Sequence, residues 1–65
     1  MTITIKLKTD NAAFEDDFEG EVSRILRVVS ASIKRQVVSK VLMDVNGNSI
    51  GSFMVTGGYA KGRED

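Results

Sequence analysis

The sequence predicts an α+β fold: a single small β-α-β-β domain with one helix packed on a three-stranded antiparallel or mixed sheet. Three patterns carry that expectation. Ile3, Ile5 and Leu7 alternate with Thr2, Thr4, Lys6 and Lys8; Phe18, Val22, Ile25, Leu26, Val29 and Ile33 recur at helical spacing; and Asn46-Gly47 lies between two apolar runs.

In the first strand the period of two places Ile3, Ile5 and Leu7 on one face, and Ile and Thr suit a pleated surface. Asp10 and Asn11 end it with turn chemistry, and Ala12-Ala13-Phe14 leads through one short helical turn, with Phe14 plugging the edge of the core. The main helix then starts at Asp16, with Glu19 three residues later at capping-box spacing and with acids where the macrodipole favours them. Gly20 weakens that first turn. Ser23, Arg24, Arg27, Ser30 and Lys34 fall off the apolar stripe, so the exposed helix face runs from acidic to basic.

Residues 37–45 and 49–56 form a hairpin about Asn46-Gly47, a dipeptide that supplies the positive φ of tight turns. A two-residue turn would pair Val45 with Asn48. The reading preferred here is a three-residue loop with Gly47 left-handed, pairing Asp44 with Asn48 and Leu42 with Ile50. It groups Val38, Leu42, Ile50 and Met54 on one face and Val37, Val41, Phe53 and Val55 on the other. One helix covers one face, so the other is expected to meet a second copy, a target protein or the segment around Tyr59. The domain spans 1–56, and 57–65, with three glycines, four charges and no periodicity, reads as a flexible C-terminal tail.

The 65 residues suffice for one domain, and the chain has no Cys, His, Trp or Pro. It therefore lacks disulfides, thiol nucleophiles, the commonest metal ligand and any side chain that titrates near neutrality unperturbed. No catalytic residue, metal or cofactor is expected, because no spacing singles out a Ser, Thr or carboxylate with an activating partner. Asp44-Val45-Asn46-Gly47-Asn48 fails as a calcium loop, since Ser49 and Val55 stand where Gly and a bidentate Glu are needed. Gly57-Gly58-Tyr59-Ala60-Lys61-Gly62 lacks the ending and the helix of a phosphate loop. Without a long apolar run, a secretory leader or a lipidation motif, the chain is expected to be cytoplasmic, away from membranes.

Nine basic and nine acidic residues cancel, but they are segregated. Glu15, Asp16, Asp17, Glu19 and Glu21 place five acids within seven residues, more than capping needs, whereas 22–43 contains Arg24, Arg27, Lys34, Arg35 and Lys40 and no acid. The acidic block disfavours direct nucleic-acid binding through the same helix, and Tyr59 beside Lys61 and Arg63 is a single stacking platform where several are required.

The stretches ITIKLKTDNAAFED, EVSRILR and DVNGNSIG, within residues 2–55, resemble small proteins of bacteriophage and prophage genomes, departing from them at Phe18-Glu19-Gly20 and in the tail. That resemblance implies a phage-encoded accessory protein that binds without chemistry, as anti-CRISPR proteins do by occluding a host protein surface. Its expected partner is a host protein complex such as a CRISPR effector, blocked in target-DNA recognition. The expected contact combines Glu15, Asp16, Asp17, Glu19 and Glu21 with apolar anchors Leu42, Ile50 and Met54. The competing expectation is a homodimer or larger homo-oligomer, a structural or regulatory module in which the acidic helix start of one copy meets Arg24 and Arg27 of the next.

Overall fold

A computed structural model describes residues 1–59. The chain runs β1 (Thr2–Leu7), α1 (Ala12–Asp16), α2 (Phe18–Lys34), β2 (Ser39–Met43) and β3 (Ser49–Thr56). The strands form one antiparallel sheet in the order β1-β3-β2, which gives the expected α+β architecture and excludes a mixed sheet. On one side of β3, Ile3 faces Val55, Ile5 faces Phe53 and Leu7 faces Gly51. Gly51 has to be glycine for close strand approach, because a Cβ there would stand 1.9 Å from the Lys6 carbonyl oxygen.

The hairpin loop is Val45-Asn46-Gly47: the Asp44 N–H donates to Asn48 O at 2.9 Å, the Gly47 N–H donates to Asp44 O at 3.0 Å, and Gly47 has φ 86°. The register expected beyond it does not hold. Met43 faces Ser49 and Leu42 faces Gly51, so β3 bulges at Ile50 and Leu42 is not opposite Ile50. The cause is legible in the spacing: Ile50 and Phe53 are three residues apart, an interval that strict alternation sends to opposite faces. The extra residue returns both to the helix side. The core face therefore carries Leu42, Ile50, Phe53 and Val55, all buried, while Val41, Met43 and Met54 are exposed.

Phe14, Ile25 and Val29 close the core from the helical layer. The buried stripe of α2 is Glu21, Ile25, Val29 and Ser32, rotated from the expected one, and Phe18 and Leu26 are exposed. The helix ends in a Schellman motif: the Val37 N–H donates to Ser32 O at 3.0 Å and the Gln36 N–H to Ile33 O at 2.9 Å, with Gln36 left-handed at φ 59°. Of the expected tail, residues 60–65 lie outside those described. Tyr59, by contrast, packs on the core, half-buried, and its hydroxyl donates to Val37 O, so the ordered domain continues beyond Thr56.

Candidate functional site

The acidic run folds into an elbow between two helices. Asp16 is the last residue of α1, and Asp17, with φ −155° and ψ 79°, turns the chain into α2. Asp17 therefore serves both helices: its N–H donates to Ala13 O at 3.3 Å, and its Oδ1 accepts the Gly20 N–H at 3.1 Å. The expected cap pair Asp16 and Glu19 is thus displaced by one residue. Gly20 has a specific reason to be there, since a Cβ would stand 2.1 Å from Asp17 Oδ2.

Glu21 behaves differently from its neighbours. It is buried, forms a fork with Arg24 (Nε to Oε1 3.1 Å, Nη2 to Oε2 2.9 Å) and accepts the Val45 N–H at 2.9 Å. Arg24 Nη2 also donates to Met43 O at 2.9 Å, so the two residues latch the hairpin onto α2. The Arg24 guanidinium, with help from the Val45 N–H, holds the Glu21 carboxyl below its ordinary range, against the opposing effect of burial.

Asp44 anchors the loop from within. Its carboxylate accepts the N–H groups of Asn48 at 2.8 Å and Asn46 at 2.9 Å and the side-chain amides of Asn11 at 2.9 Å and Asn48 at 3.1 Å. The Asn48 N–H leads in lowering its pKa to about 2, with the two side-chain amides and the Asn46 N–H adding to it while burial opposes.

Elbow and loop together bound an open cleft of about 380 Å³ lined by residues that include Asp16, Asp17, Gly20, Val45 and Asn46. Glu15, Asp16, Asp17 and Glu19 are exposed and form no ion pair among the described residues, whereas Arg24 at the cleft wall is already neutralised by Glu21. Carboxylates beside Val45, which is 65% exposed, suit the charged head and aliphatic stem of a lysine or arginine. Among the described residues no group of three or more His, Cys, Asp or Glu could hold a metal ion, and no helix is long and apolar enough to cross a membrane.

The residues expected to share one contact are separated. Glu15, Asp16, Asp17 and Glu19 surround the elbow, but Glu21 is committed to the latch. Leu42 and Ile50, each 2% exposed, belong to the core, because the bulge turns Ile50 inward; neither can anchor a partner in this fold. Met54 is exposed, as its alternation with buried Phe53 and Val55 requires, on the sheet face away from the core. Arg24, expected to answer a neighbouring copy, is taken up within its own chain. The sequence reading missed Val45 as part of the site, although its place in a tight loop next to Asn46 marked it as an apolar residue with no core to enter.

Comparison with protein families, curated proteins and solved structures finds no match for this chain.

Proposed function

We propose that this chain is a non-enzymatic binding protein that seats its acidic elbow on a basic, nucleic-acid-handling surface of a host protein complex and occludes it. The observation that carries this reading is the set of exposed carboxylates at Glu15, Asp16, Asp17 and Glu19, unpaired among the described residues, of which Asp16 and Asp17 line a cleft with exposed Val45. Such a surface offers to lysines and arginines the charge that a phosphate backbone would, with one apolar contact for their stems. Together with the resemblance to phage proteins, it makes an anti-CRISPR role, with a CRISPR effector as the blocked complex, the specific form of the proposal.

The test measures target-DNA binding by purified effector complexes with and without the protein, at low and high salt. Wild type is expected to reduce DNA binding most strongly at low salt, and Glu15→Lys/Asp16→Lys, which leaves the Asp17 cap in place, is expected to lose the effect. DNA binding unchanged by wild type, or reduced equally by the variant, rejects the reading.

A further inference from the structure

The two edges of the sheet are not equivalent. At the β2 edge, Met43 O is already taken by Arg24, and the adjoining loop is latched through Glu21. At the β1 edge there is no such cover among the described residues. The Lys8 N–H donates to Ile50 O at 2.7 Å, which fixes the parity of the ladder: the backbone groups of even residues in β1 point to β3 and those of Ile3, Ile5 and Leu7 point away from it. Among the described residues the sheet has no further strand beyond β1.

The side chains of the same residues are also incompletely covered. Ile3 and Ile5 are 38% and 40% exposed, whereas Val55 and Phe53, directly opposite them on β3, are 7% and 0% exposed. The helix thus lies over β3 and β2 and leaves the β1 margin open. Arg24 and Val28 line a cleft with β2, so the opposite flank of α2, which carries Val22 and the 44% exposed Leu26, is the one turned to β1. Backbone groups without partners and an apolar shelf above them coincide at one edge.

We propose that this edge is a homodimer interface, in which β1 pairs antiparallel with β1 of a second copy about a two-fold axis through Thr4. The occupant follows from complementarity. That axis places Ile3 against Ile5 of the other copy in hydrogen-bonded pairs, with about four new backbone bonds, and makes the two apolar shelves continuous. It sets Lys6 against Thr2, whereas an axis through Lys6 would oppose like charges.

The axis is normal to the sheet, so the two α2 helices run antiparallel on one face of a six-stranded sheet. This interface is separate from the elbow cleft, whose lining includes no residue of β1.

The chain contains no cysteine, which makes cross-linking diagnostic. Sedimentation is expected to give twice the 7.1 kDa chain mass at high concentration. Thr4→Cys, at an exposed site, is expected to form a disulfide with itself under mild oxidation, since the axis brings its Cα atoms to about 4.5 Å. Thr2→Cys mixed with Lys6→Cys is expected to cross-link, and Val41→Cys, on the same sheet face but on β2 at the far side of the sheet, is not. A monomer at millimolar concentration, or cross-linking at Val41 in preference to Thr4, overturns the interface.

Discussion

Asp44 is the residue on which the loop depends, and its chemistry gives the molecule an acid limit. Its carboxylate is stabilised in the charged form mainly by the Asn48 N–H, with pKa lowered to about 2 from 3.8, and Glu21 is lowered from 4.5, chiefly by Arg24. Groups depressed in the folded state contribute stability that is fully present above their unfolded pKa values. It is lost as pH falls through the folded ones. The expected outcome is a urea midpoint constant near neutrality that falls as pH drops below about 4.5 and continues falling towards 2. Asp44→Asn should lower the midpoint at pH 7 and remove the part of the decline nearest pH 2; a variant with the wild-type pH profile would exclude Asp44 as its source. The turn itself was legible, since Asp at the first position and Gly at the fourth are type I turn chemistry. The reach of Asn11, 33 residues away, was not, because nothing local marks a polar side chain that a distant loop will bury.

At the scale of the element, the start of α2 couples two residues that normally act separately. Gly→Ala near a helix start ordinarily stabilises by up to about 1 kcal/mol. Here the new Cβ would displace the Asp17 carboxylate that caps the helix, a contribution of similar size, about 1 kcal/mol. Gly20→Ala is therefore expected to be neutral or destabilising in wild type and stabilising by about 0.5–1 kcal/mol in an Asp17→Ala background, as a double-mutant cycle in urea would show. Equal effects in both backgrounds would mean that cap and glycine are uncoupled. At the other end Gln36 holds a left-handed conformation that glycine adopts without strain, so Gln36→Gly should raise stability by about 1 kcal/mol by the same measurement. The existence of α2 and its end near Arg35 were readable, but its start and rotation were not. The elbow conceals the start because Asp16 and Asp17 belong to different helices. The stripe turns because Glu21, a carboxylate that periodicity assigns to solvent, is drawn inward by Arg24 and the Val45 N–H.

For the whole molecule, the class was legible because the strand, helix and turn signals agree, whereas the faces of the hairpin required knowing about one inserted residue at Ile50. The candidate site was legible only in its charge: the acidic run was visible, but the division of its acids between elbow and latch depends on where the hairpin folds back. That fold-back concentrates the core on the central strand, with Phe53 fully buried, and leaves β1 as the margin with no buried side chain. Local stability should follow the same gradient. In native-state hydrogen exchange at low concentration, the Phe53 and Val55 amides, which face β2, are expected to be the slowest, as the Val55 N–H bond to Val38 O at 2.8 Å indicates. Within β1 the pattern should alternate: Thr4 and Lys6 protected by β3, Ile3, Ile5 and Leu7 exchanging at rates close to those of an unstructured peptide. Raising the protein concentration should then slow Ile3 and Ile5 selectively, because a second β1 would take up those amides. If protection rises uniformly along β1, association stabilises the fold without using this edge. If the alternation is absent at low concentration, the parity assigned to the β1 ladder is wrong.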